Sequence, residues 1–279
     1  MAELVAAFAA SHAPLITAAP ETAEAGARER IHGAMGELRR ELERARPDVL
    51  VICSNEHFTN FFLDNFPPFC IGVGERHVGP AENWLRIAPG ALRGHPALGR
   101  WLVERAFAED FDPAFSEDLC LDHGIMTVLH FLDPDRRLPV VPIVQNCAVA
   151  PMPSLGRCYG LGATLRRAVE AWPAAARVAL IGAGGLSHWV GMPGMGRIDA
   201  DFDRWFLGRL EAGRPDEVLA LTDADVERAG NGAHEIRSWL TVAGAMPGAR
   251  ARVLAYEPIP QWVTGMGVAL YPVDGGAGP

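Results

Sequence analysis

The feature that most restricts the fold of this chain is a succession of short, continuous apolar runs separated by longer stretches with helical spacing. Leu4–Ala10, Val49–Cys53, Phe69–Val73, Val140–Val144 and Val178–Ile181 have strand length but no clean polar alternation. A strand with one face in water alternates, whereas a strand covered on both faces does not. Between the runs, Glu21–Arg46, His95–Glu109 and Leu155–Ala171 carry helical apolar spacing, and Ile125–Leu132 reads as a further helix. The pattern predicts an α/β fold with a central mixed, mostly parallel sheet covered by helices and an active site at the strand carboxyl ends. After Asp199 it turns helical, through Asp199–Glu211, Asp216–Leu221, Asp223–Arg228 and Asn231–Met246, before two last strands near Arg252–Tyr256 and Val263–Leu270. No internal repeat and no Gly, Ser or Pro linker divides residues 1–279, so a single catalytic domain is expected, with Gly275–Pro279 a frayed tail.

Composition narrows the chemistry. All 25 basic residues are arginine, and lysine is absent. That excludes Schiff-base enzymes, a pyridoxal-phosphate anchor, a P-loop and the protein-kinase ion pair. A net charge of −9 with scattered arginines argues against nucleic acid as partner. The 5 cysteines (Cys53, Cys70, Cys120, Cys147, Cys158) are odd in number and never C-x-x-C, as expected of buried thiols in a reduced compartment. No apolar stretch approaches the roughly 18 residues of a membrane span, and the N-terminus lacks a basic leader, so a soluble, cytoplasmic protein with a small-molecule partner is expected.

The histidines fall where such a fold binds ligands. His12, His57 and His188 each stand just past a predicted strand, in Ser11-His12-Ala13-Pro14, Asn55-Glu56-His57 and Gly184-Gly185-Leu186-Ser187-His188. His123 leads into a helix from Leu121-Asp122-His123-Gly124. Any one alone reads as a hydrogen-bonded loop histidine; together they point to one crevice. Two neutral imidazoles and a carboxylate form the facial triad of non-haem Fe(II) sites. No H-E-x-x-H pair exists, so ligands must come from separate segments, with Glu56, Asp122 and Glu235 as candidate carboxylates. On composition alone Glu235 reads as a solvated helix residue, and His234 must point away from it because adjacent helix positions diverge by about 100°.

These strings, with Phe66-Pro67-Pro68-Phe69-Cys70-Ile71-Gly72-Val73-Gly74 and His234-Glu235-Ile236-Arg237-Ser238-Trp239, occur in one order from His12 to Trp262. They resemble the class III extradiol ring-cleavage dioxygenases, the family of the protocatechuate 4,5-dioxygenase beta subunit and of 2,3-dihydroxyphenylpropionate 1,2-dioxygenase. The resemblance implies His12, His57 and Glu235 as ligands of a non-haem Fe(II) ion, His123 and His188 as acid and base, and O2 as co-substrate. It also implies a small aromatic diol as substrate, protocatechuate- or gallate-like or a related dihydroxy-aromatic, and either a homo-oligomer or a complex with a separate small subunit. One departure is Glu56 before His57, where the family carries Asp; the charge is preserved. Phe58, Phe61, Trp189 and Met192 are candidates for the ring pocket, though ordinary core is the simpler reading of them.

Two rival readings remain. Val178–Gly185 followed by Asp199 or Asp201 imitates a dinucleotide fingerprint, but Ser187 replaces its third glycine and Trp189–Gly194 reads as loop. The other rival keeps the fold and the pocket with another metal, as a zinc hydrolase or a non-catalytic binding module.

Overall fold

The computed structural model describes residues 1–273; the expectation for Gly275–Pro279 lies outside the described residues. Strand β1 (Glu3–Ala10) leads through α1 (Leu15–Ala18) and a 3-10 turn (Pro20–Thr22) into the long helix α2 (Ala25–Ala45). There follow β2 (Val49–Asn55), β3 (Phe69–Gly72), a hairpin of β4 (Arg76–Gly79) and β5 (Gly90–Arg93), α3 (Pro96–Phe107) and β6 (Ala114–Ser116). The chain continues through α4 (His123–Leu132), β7 (Val140–Gln145), α5 (Leu155–Glu170), β8 (Arg177–Ala183) and α6 (Ala200–Glu211). Short helices α7 (Pro215–Leu219) and α8 (Asp223–Glu227) precede a 3-10 turn (Asn231–Glu235), which runs into α9 (Ile236–Ala245). Strands β9 (Arg252–Ile259) and β10 (Thr264–Tyr271) complete the described chain.

The eight-stranded sheet has the order β6-β3-β7-β2-β8-β1-β10-β9, and β4 and β5 form a separate two-stranded sheet. Its centre, β7-β2-β8-β1, is parallel, and β10 and β9 extend it antiparallel. Side chains along these strands alternate between two apolar layers. Ala7, Ala9, Val51, Cys53 and Leu180 pack in one with Leu161, Leu165 and Trp239 of α5 and α9. Phe8, Ala10, Leu50, Ile52 and Ile181 pack in the other with Ile31, Met35 and Leu38 of α2 and Val128 of α4. Both faces are therefore covered, which is why the strands show no polar alternation.

Three local differences from the sequence reading have physical causes. The long helix begins at Ala25 and not at Glu21, because Pro20 sits in the 3-10 turn and Glu24 caps the helix, accepting from Gly26 N at 2.9 Å and Ala27 N at 2.7 Å. The segment from Asn231 is not one helix but a 3-10 turn followed by α9, and Glu235 stands at the junction. Strands β4, β5 and β6 are only three or four residues long, too short for periodicity to register.

Helices α5 and α9 touch backbone to backbone. A Cβ at Gly162 would lie 1.8 Å from the Thr241 carbonyl oxygen, and one at Gly244 1.9 Å from that of Tyr159. Neither position has room for a side chain. The five cysteines are free, four of them buried. Among the described residues no helix is long and apolar enough to cross a membrane.

Candidate active site

The register of the central strands sets the site. Ala10 of β1 and Ser54 of β2 both lie opposite Ala183 of β8, so three neighbouring strands end at one level. His12, His57 and His188 follow within a few residues of those ends. Glu235 reaches the same point from the other side, because Trp239 Nε1 donates to the Gly184 carbonyl at 2.8 Å and Gly232 N to that of His188 at 3.0 Å. Glu235 Oε2 lies 2.9 Å from His12 Nε2, and Oε1 lies 3.3 Å from His57 Nε2 and 3.7 Å from His188 Nε2. His123, at the start of α4, places its ring 4.1 Å from that of His57, tilted by 36°, and 5.5 Å from that of His12, edge-on at 87°. One ring nitrogen from each of His12, His57 and His123 lies within 4.8 Å of the others. All five residues singled out in the sequence converge.

Each imidazole is held from behind through Nδ1. Ser54 Oγ is 3.4 Å from that atom of His12, Asp122 Oδ2 is 2.9 Å from that of His57, Glu82 Oε1 is 2.5 Å from that of His123, and the Leu186 carbonyl oxygen is 2.7 Å from that of His188. Carboxylates and carbonyls only accept, so in the last three cases the hydrogen sits on Nδ1. Asp122 does two tasks, since its Oδ1 also caps α4 by accepting from Gly124 N at 2.9 Å.

Electrostatically the pocket calls for a cation. Burial lowers the His12 pKa, with Glu235 pulling the other way. Burial also acts to lower His57, but Asp122 and then Glu235 outweigh it and hold the imidazole well above its ordinary value. Burial would raise Glu235, yet the charges of His12 and His188 hold its carboxyl well below the usual range. The same balance, with His57 dominant, keeps Asp122 low. The buried carboxylates thus draw positive charge onto His57, and a divalent metal ion answers that demand with the histidines neutral. Two imidazoles and a carboxylate, each steadied by an outer partner, fit a non-haem iron ion.

Several expectations change in detail. Glu235 is not a solvated helix residue: it is 4 % exposed, and Gly185 N donates to its Oε2 at 2.5 Å. His234 does turn elsewhere, to Glu227 at 2.7 Å and to Arg237 Nη1 at 2.7 Å. Glu56 lies outside the histidine cluster and organises the following loop, accepting from the backbone N–H groups of Thr59 and Asn60 at 2.5 and 2.6 Å. Phe58 and Met192 are exposed, which removes the ordinary-core reading for them; Trp189 is half-buried, and Phe61, also half-buried, packs against the apolar layer of Phe8 and Ile52 as core. No helix follows β8 until Ala200, so the dinucleotide pattern has no phosphate-binding helix.

Two groups had no signal in the sequence. Glu82 lies 41 residues before His123 in the β4–β5 loop. Asp203 of α6, fully buried, accepts from Ser187 N at 2.7 Å, Ser187 Oγ at 2.8 Å and the Tyr256 hydroxyl at 2.8 Å, and so fixes the turn that presents His188. Burial pushes its pKa up to about 6, against the lowering effect of those donors.

Comparison with known proteins agrees with this architecture. Residues 6–267 match the family model of the catalytic LigB subunit of aromatic ring-opening dioxygenase. A 2,3-dihydroxyphenylpropionate/2,3-dihydroxicinnamic acid 1,2-dioxygenase from Paraburkholderia xenovorans (strain LB400) is 31% identical, over 92% of this chain and 94% of that protein. One from Klebsiella pneumoniae (strain 342) is 27% identical, over 92% and 95%. The crystal structure of the uncharacterized protein JW3007 from Escherichia coli K12 shares the fold, with a TM-score of 0.59 and 17% identity over 85% of this chain and 91% of that one. The chain belongs to the LigB family of class III extradiol dioxygenases. It is an extradiol aromatic ring-cleavage dioxygenase.

Proposed function

We propose that the chain cleaves a catechol-type aromatic with ferrous iron held by His12, His57 and Glu235, incorporating both atoms of O2 by meta cleavage. The observation that carries this reading is the single carboxylate of Glu235 facing two imidazole Nε2 atoms at 2.9 and 3.3 Å, with two more histidines beside it. Iron bound there would supply the electron path between a singlet catechol and triplet dioxygen, whose direct reaction is spin-forbidden. The protein's own groups manage the protons. His188 holds its hydrogen on Nδ1 against the Leu186 carbonyl, which leaves Nε2 to accept a proton from a substrate hydroxyl. His123 returns a proton to the oxygen-bearing side of the ring.

The substrate class is protocatechuate-like, gallate-like or a related dihydroxy-aromatic such as the one the relatives are named for, and with no lysine in the chain arginine supplies any permanent cation that holds an acidic ring substituent. Phe58, Phe62, Leu63, Met192 and Met195 are exposed in the loops that follow β2 and β8, which favours assembly as a homo-oligomer or with a separate small subunit. Five free cysteines suit the cytoplasm.

A second reading has one observation behind it: the ring nitrogens of His12, His57 and His123 are close enough to form a three-histidine zinc site. A panel of catechols on an oxygen electrode, with protein reconstituted anaerobically with Fe(II) or with Zn(II), separates the two. The iron form is expected to consume O2 and yield a yellow ring-fission product. Turnover by the zinc form without O2 uptake would overturn the dioxygenase assignment.

A further inference from the structure

The four site histidines are anchored by unlike groups, and the anchor of His123 is the most elaborate. Glu82 Oε1 meets both His123 Nδ1, at 2.5 Å, and the His123 backbone N–H, at 3.1 Å. That N–H belongs to the first turn of α4, where it has no partner within the helix. One oxygen therefore fixes both the backbone and the ring of the same residue. The segment bearing Glu82 is itself tied to the one preceding His123: Leu121 N donates to the Val78 carbonyl at 2.7 Å, and Ala81 N to that of Leu121 at 2.9 Å. Val78 and Cys120 also form a parallel bridge.

The second oxygen of Glu82 is buried and has no hydrogen-bond partner among the described residues. A half-satisfied buried carboxylate is a cost, and costs of this kind collect where a group is kept for a purpose other than stability. The purpose is legible in the geometry. With Nδ1 turned to an acceptor-only oxygen, His123 is locked as the Nδ1–H tautomer, its ring cannot flip, and Nε2 is the atom left for chemistry.

We propose that Glu82 is the positioning residue of His123, fixing its tautomer and ring orientation from the β4–β5 loop. The proposal rests on the reading of His123 as a proton-transfer group. E82A is expected to lower kcat on the order of 10- to 100-fold, as loss of an outer orienting partner does, with KM, iron content and Tm close to those of the parent protein. E82Q, whose amide oxygen can accept from the same two donors, is expected to recover most of kcat. In an H123A background E82A should cost nothing further, because the residue it orients is gone.

Ring 15N spectra of the full-length chain, with His123 assigned by its loss in H123A, should show a protonated Nδ1. Undiminished kcat in E82A, additive losses in the E82A/H123A pair, or an unprotonated Nδ1 would each overturn the proposal. The parent spectrum carries the test even where E82A does not fold. It is also independent of turnover, so an iron-loaded protein that consumes no O2 would refute the catalytic reading and leave the Glu82 result standing.

Discussion

The two ends of the central sheet treat charge in opposite ways. At the carboxyl end, Glu235, Asp122, Glu56, His12 and His188 are each no more than 6 % exposed. At the amino end, a cleft lined by Glu3, Arg44, Arg177 and Arg252 carries ion pairs in water: Arg177 with Glu3, and Arg252 with Glu37 at 2.7 Å. The strands between are equally apolar. Burying charge costs several kcal/mol per ion before pairing, whereas exposed pairs contribute about 0 to 1 kcal/mol. The carboxyl end is thus organised for ligand chemistry at some expense to folding, and the amino end is ordinary protein surface.

The contrast can be broken most sharply at Glu235. Ala at His12, His57 or Glu235 is expected to abolish iron retention, measured by metal analysis after gel filtration, and to remove turnover entirely. Ala at His123 or His188 should leave iron bound and lower kcat by roughly 10²- to 10⁴-fold. Full activity in E235A would sink the ligand assignment.

A smaller effect is expected one layer out, at Asp203. Its folded pKa, about 6, lies above the value of about 4 for a free aspartate. Protonated Asp203 therefore favours the folded state, fully so below pH 4, and that contribution is lost as pH climbs from 4 to 6 at up to about 1.4 kcal/mol per unit. Urea titrations across this window should show D203N with a flatter pH dependence than the parent. Parallel slopes would show that Asp203 titrates normally. Least of all should change at the amino end: R177A is expected to alter stability by less than about 1 kcal/mol and iron content not at all.

Much of this was legible in the sequence because of what strands and metal ligands demand locally. Unbroken apolar runs announced a covered sheet, and His12, His57 and His188 announced its active end by following those runs. Glu235 was harder. By local pattern it is one polar residue among helical neighbours; it is buried because the 3-10 turn before α9 and the bond from Trp239 to the Gly184 carbonyl carry it inward. Only the ordered set of family motifs singled it out. Glu82 and Asp203 were invisible for the same reason taken further. Each acts across tens of residues on a partner chosen by tertiary packing, and a lone acidic residue in a loop or helix carries no mark of that.

The backbone contact at Gly162 and Gly244 bears on how this enzyme can change over evolutionary time. It wedges α9, and with it the carboxylate proposed to hold the metal, against α5 with no slack for even a methyl group. The loops after β2 and β8, with Phe58, Phe62, Met192 and Met195 in the open, have no such constraint. A side chain added at Gly162 or Gly244 would have to push α9 away from α5 and carry Glu235 with it, whereas a change at Phe58 or Met192 meets open solvent. The rim can therefore be altered without moving Glu235, while the α5–α9 seam cannot.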